Sequence, residues 1–83
     1  MLKIVFSNNE EVSIGENDIM RAWNTDKKEP YYAYQIFEGT LSDPKLATPD
    51  SKVGLQGLLS RAEWISFNNE GPYKTSSIVK IIG

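Results

Sequence analysis

Apolar and polar residues alternate along the first fourteen positions, with one interruption. Leu2, Ile4 and Phe6 share one face of an extended chain, and Lys3, Val5 and Ser7 share the other. A period of two, carried by β-branched and aromatic types, is that of a half-buried strand. "NNE" at 8–10 breaks the pattern, because Asn tolerates positive φ and bonds its own backbone in tight turns. Alternation resumes with Val12 and Ile14 inward, Glu11 and Ser13 outward, and stops at Gly15. The pattern predicts a β-hairpin with strands over 2–7 and 11–15.

The period then changes. Asn17 suits an N-cap with Asp18 in the first turn, and Ile19, Met20 and Trp23 fall at helical spacing. This predicts a two-turn helix, too short to persist unless it docks on a sheet. "NTDKKEP" reads as a charged loop. "YYAYQIFEGTL" predicts the longest strand, over 31–40, with Tyr32, Tyr34 and Ile36 on one face and Tyr31, Ala33, Gln35 and Phe37 on the other. Gly39 suggests a bulge or bend there. Residues 42–52, with two prolines and two aspartates, read as an exposed, mobile loop. Val53, Leu55, Leu58, Leu59 and Ala62 form a helical stripe and predict a short helix near 54–61, although Gly54 and Gly57 each cost a helix about 1 kcal/mol against Ala.

Strand character returns over 63–68, with Trp64, Ser66 and Asn68 opposite Ile65 and Phe67. A second "NNE" follows, extended by Gly71 and Pro72 into what reads as a looser turn. The last strand, over 74–82, loses its parity between Thr75 and Ile78, which implies burial on both sides or a bulge. The two "NNE" tips are read as turn chemistry used twice, since turns select these residues so strongly. Five strands and one or two short helices predict an α+β, mainly β fold. It is a small curled antiparallel sheet or a five-stranded barrel, with an open sheet carrying one helix as the competing architecture.

At 83 residues the chain reads as a single domain, 1–83. A domain this size buries only about 60–65% of its unfolded surface. The absence of cysteine favours a reducing compartment, and the opening apolar run is too short for a signal-peptide core or a membrane span, so a cytoplasmic location is expected. The net charge of −2 gives no electrostatic reason to expect a phosphate backbone or an anionic membrane as partner. The nine Lys and Arg are scattered; only Lys27 and Lys28 are adjacent, between Asp26 and Glu29.

Histidine is absent as well. That removes the commonest general base, the thiol nucleophile and the usual zinc, copper and haem-iron ligands. Ser60 with Arg61, and "KTSS" at 74–77, hold hydroxyls without a nucleophile motif. Glu10 with Glu11, and Glu16 with Asp18, are acidic neighbours better read as a solvated flank than as a hard-cation site. Asp43 and Asp50 lack calcium-loop spacing, and "GLQG" lacks the following Lys and Ser/Thr of a phosphate loop. No catalytic residue, metal or cofactor is therefore expected.

The aromatics stand out. Tyr31, Tyr32, Tyr34, Trp64 and Tyr73 are the candidate binding residues, a contact surface for a protein partner that Arg21 and Arg61 could join. Exposed sheet edges make self-association a further expectation. The alternative is single-stranded nucleic acid stacked on the same rings, although the composition offers no basic groove.

"AEWISFNNEGPYKTSSIVKI" resembles the ending of small uncharacterised proteins of low-GC Gram-positive bacteria and their phages, in which a Trp-Ile strand, a short turn and a segment like "Y-x-T-S-x-I-V-x-I" occur. "MLKIVFSNNEEVSI" is similar in style to their first hairpin. The resemblance covers the two ends only. It implies a bacterial or prophage setting and neither an activity nor any functional residue.

Overall fold

Strand alternation at the N-terminus becomes the hairpin it predicts, with β1 (Leu2–Phe6) and β2 (Glu11–Ile14) pairing Leu2 with Ile14 and Val5 with Glu11. The computed structural model describes residues 2–25, 33–46 and 50–83. Five further strands follow: β3 (Met20–Thr25), β4 (Ala33–Gly39), β5 (Trp64–Phe67), β6 (Glu70–Lys74) and β7 (Ile78–Ile82). One helix, α1 (Ser51–Arg61), lies between β4 and β5. The strands form two antiparallel sheets, β2-β1-β7 and β4-β3-β5-β6. Among the described residues they do not close into a barrel, so the curled-sheet reading holds and the five-stranded barrel does not.

The predicted helix after Asn17 is instead β3. Met20 and Ala22 are fully buried while Arg21 and Trp23 reach the other face, a period of two. Pairing on both sides, with β4 and with β5, satisfies the backbone of this segment better than two isolated helical turns would. Asn17 sits in a turn, not at a cap.

The predicted strand over 74–82 is also broken. Its parity slip marks a 3-10 turn at Thr75–Ser77, which carries the chain from β6 in one sheet to β7 in the other. A second irregularity leaves Val79 without a partner on β1, since Val5 faces Lys80 and Phe6 faces Ile78.

The two "NNE" tips exchange roles. The first spans 7–10, where Phe6 N–H donates to Glu10 O (2.9 Å), Glu10 N–H donates to Asn8 Oδ1 (3.0 Å), and Asn9 takes φ 71°. The second is the tighter. Phe67 pairs with Glu70, so only Asn68 and Asn69 turn, with Asn68 at φ 56°. Gly71 and Pro72 belong to β6, as a bulge opposite Ser66.

That tip also clasps the corner between β2 and β3. Asn68 N–H donates to Ile19 O (2.6 Å), and Ile19 N–H donates to Asn68 Oδ1 (3.0 Å). Beside it, Gly15 N–H donates to the Asp18 carboxylate (2.8 Å). This bond, with help from the Asn68 side chain, holds the Asp18 carboxyl below its usual value of 3.8. A lowered carboxyl pKa adds stability that is present above the unfolded value and lost as pH falls through the native one. Asp18→Asn is expected to flatten the acid limb of the melting temperature between about pH 5 and pH 2. An unchanged slope in thermal melts across that range would refute the assignment.

The core lies between the sheets. Leu2, Ile4, Phe6 and Ile14 come from one, and Met20, Ala22, Phe37, Ile65 and Phe67 from the other. Helix α1 closes it with Leu55, Leu58 and Ala62. The helix prediction near 54–61 is borne out and extended toward the N-terminus by Asp50, which caps α1 by accepting from Lys52 N–H (2.9 Å). The predicted loop over 42–52 is partly structured as well. Pro44–Leu46 is a 3-10 turn, and Leu46 is buried in the core; residues 47–49 lie outside the described residues.

Candidate functional site

The outward face of the four-stranded sheet follows from its register. β3 sends Met20 and Ala22 to the core and Arg21 and Trp23 outward. β5 sends Ile65 and Phe67 inward and Trp64 outward. Trp23 and Trp64 are directly opposite in the β3–β5 ladder, so the two indoles share one face, each half-buried. Their outer neighbours are Gln35 on β4 and Lys74 on β6. Lys74 Nζ lies 5.0 Å from the Trp64 ring centroid, within cation–π range. Further along, Arg21 Nε donates to its register partner Glu38 (2.7 Å), an exposed pair that contributes little stability but occupies the guanidinium.

Ala33 on β4 and Pro72 on β6 flank the two indoles, and the four residues line a shallow, almost wholly apolar cleft of about 400 Å³. A bulge in β4 makes it. Ala22 faces Phe37 but Trp23 faces Gln35, so Ile36 is the extra residue and the strand's parity reverses there. Phe37 can then be buried while Gln35 and Ala33 face outward beside Trp23.

The strand ends beneath this face are fastened by residue 63. Its N–H donates to Asn24 Oδ1 (2.8 Å), and its carboxylate accepts from both the N–H (2.8 Å) and the hydroxyl (2.9 Å) of Thr25. Thr75 N–H donates to Glu63 O (3.0 Å), and the Thr75 hydroxyl donates to Ala62 O (2.6 Å). Glu63 thereby ties β3, β5 and β6 at the end where both tryptophans stand. A rigid backing of this kind lowers the ordering cost of binding.

The predicted contact residues do not form one surface. Trp64 is on the face just described. Tyr34 is 43% exposed but pairs with Asn24, one position out of phase with Ala33 and Gln35, and so lies on the other side of the sheet. Tyr73 is opposite Ile65 and packs inward, its ring centroid 4.7 Å from that of Phe6 and 6.1 Å from that of Phe67. Burial, and secondarily the charges of Glu70 and Glu10, raises its phenol pKa, as expected of a packing residue kept neutral. Tyr31 and Tyr32 lie outside the described residues. Arg21 joins the face but is paired, and Arg61 lines a different cleft with Lys45.

Trp23 is the residue that the helical reading of its segment hid. The signal for it is the alternation Met20, Arg21, Ala22, Trp23, with a charge between two apolar positions.

The acidic neighbours are not assembled into a cation site: Glu11 pairs with Lys3 (3.3 Å), Asp18 holds its own turn, and among the described residues no three metal-ligating side chains converge. No described helix is long and apolar enough to cross a membrane. No family model, curated protein or solved structure matches the chain, and the paired-indole face rests on its own geometry.

Proposed function

We propose that the chain is a non-enzymatic protein-interaction module whose contact surface is the Trp23–Trp64 face. One observation carries this reading: both tryptophans of the chain stand opposite each other on a solvent-facing sheet surface, around an apolar cleft of about 400 Å³. Tryptophan is the residue type most enriched among interface hot spots, and such residues act from desolvated pockets ringed by polar groups. Gln35, Lys74 and the Arg21–Glu38 pair supply that rim. The occupant is an apolar side chain of a partner protein. The lack of cysteine and the likeness of the two chain ends to Gram-positive and phage proteins support a bacterial cytoplasm as the setting, and the lack of cysteine and histidine removes the commonest catalytic groups.

Because both tryptophans line the cleft, their intrinsic emission reports its occupancy directly. A bound partner is expected to shift that emission, and Trp23→Ala or Trp64→Ala to weaken binding about 30-fold, the equivalent of roughly 2 kcal/mol. A partner that binds both variants as tightly as the wild type, with emission unchanged, would sink the proposal.

Single-stranded nucleic acid is the second reading, favoured by the position of Lys74 beside the Trp64 ring. Against it stand the net charge of −2 and the pairing of Arg21. Oligothymidine at low salt is expected to leave the emission unchanged. Quenching that disappears steeply with added salt would transfer the site to nucleic acid.

A further inference from the structure

We infer a second docking site: the groove between α1 and the outer edge of β7, which takes an extended segment of a partner protein as an added strand, acidic residues alternating with small aliphatic ones.

Four observations converge on it. β1 occupies one edge of β7, and among the described residues no strand pairs with the other. The other sheet edges are obstructed: β6 carries Pro72 and a bulge, β4 carries the Ile36 bulge, and β2 is four residues long. Bulges, prolines and shortness are the usual protections of an edge. Along β7, the bulge aims Val79 outward and leaves 80–82 as regular ladder.

Next, the groove has a volume of about 590 Å³, and its walls include Val53 of α1 and Val79 of β7. These are the two most exposed large hydrophobic side chains among the described residues, at 54% and 61%. Apolar residues exposed singly are ordinary, but two bordering one groove beside an open ladder edge supply the side-chain pockets that strand addition requires.

Charge then selects the occupant. Lys52 and Lys80 line the groove, and the one carboxylate among its described lining residues, Asp50, accepts the cap bond of α1. The groove is therefore locally cationic on a chain whose net charge is −2. A second copy adding its own β7 symmetrically about the middle of the strand would set Lys80 against Lys80, which is unfavourable across a strand pair. A glutamate-bearing strand meets both ammonium groups.

The groove shares no lining residue with the tryptophan cleft, so either site can fail alone. The test uses the full chain, isotope-labelled, titrated with the blocked peptide acetyl-Val-Glu-Val-Glu-Val-amide. Saturable amide shifts are expected at Val53, Gln56 and 79–82, with the Trp23 and Trp64 indole signals unmoved. The double variant Lys52→Glu/Lys80→Glu should lose at least about tenfold in affinity and take up the lysine counterpart of the peptide instead. Absence of saturable shifts, shifts at the indoles, or equal binding by the charge-reversed variant would overturn the inference. So would concentration-dependent shifts at 79–82 in the chain alone, which would assign the edge to a second copy.

Discussion

Gly54→Ala is expected to lower the melting temperature by roughly 4–24 °C, while Gly57→Ala, three residues along the same helix, raises it by a few degrees. A Cβ on residue 54 would overlap the backbone carbonyl of Leu46, and main chain cannot move aside as a side-chain tip can. The close approach is what seats α1 on the Pro44–Leu46 turn and brings Leu46 into the core. Overpacking of this kind costs about 1–3 kcal/mol, against a total stability for a domain of this length of roughly 4–12 kcal/mol. At position 57 a Cβ would meet nothing within 4 Å, so only helix propensity acts, and alanine gains about 0.5–1 kcal/mol. At 4–8 °C per kcal/mol these become the stated shifts. Thermal melts of the two variants side by side decide the matter. Similar shifts of the same sign would mean that α1 does not approach the turn as described.

Ile65→Ala is expected to cost about 2–5 kcal/mol and to leave the protein largely unfolded at moderate temperature. Ile65 is fully buried at the centre of the four-stranded sheet, paired with Ala22 on one side and Tyr73 on the other. Ala22 is too small to close the space left, and the Tyr73 ring is held against Phe6 and Phe67. Trp64→Ala, at the adjacent residue, removes a larger side chain from the solvent face and is expected to destabilise far less. Denaturant melts should separate the two by at least about 2 kcal/mol. Equal losses would show that Trp64 belongs to the core and would remove it from any contact surface.

That contrast between neighbours shows what alternation can and cannot convey. The inward set Ile65 and Phe67, and the set Leu2, Ile4 and Phe6, are legible because every second residue is large and apolar, although Val5 and Ser66 between them are buried too. α1 is legible from its leucine stripe, although one of the two glycines that weaken it by propensity is required by its packing. β3 was misread because Met20 and Trp23 suit either period over so few residues, and because pairing with two neighbours is a tertiary event. Bulges caused the other errors. One extra residue at Ile36 reverses the parity beyond it and no local residue type announces it, whereas the slipped parity of the last strand does signal the irregularity at Val79. The candidate site inherited both faults. Of the candidates that the sequence suggests, Trp64 stands on the outward face, while the helical reading hides Trp23 and simple alternation groups Tyr34 and Tyr73 with residues whose faces they do not share.

The ladder between β1 and β7 carries a kinetic cost. Lys3 pairs with Ile82 and Ile4 with Ile81, so the three-stranded sheet joins segments separated by nearly the whole described chain. Closure entropy must be overcome before that ladder returns any energy, and non-local pairing of this kind slows folding. While β7 is still unplaced, the β1–β2 hairpin leaves one backbone edge of β1 open beside the uncovered face of Leu2, Ile4 and Phe6, the arrangement that invites pairing between molecules. Aggregation during refolding is thus governed by how quickly one distant strand arrives, and a tether that shortens its search would suppress it without altering a single native contact.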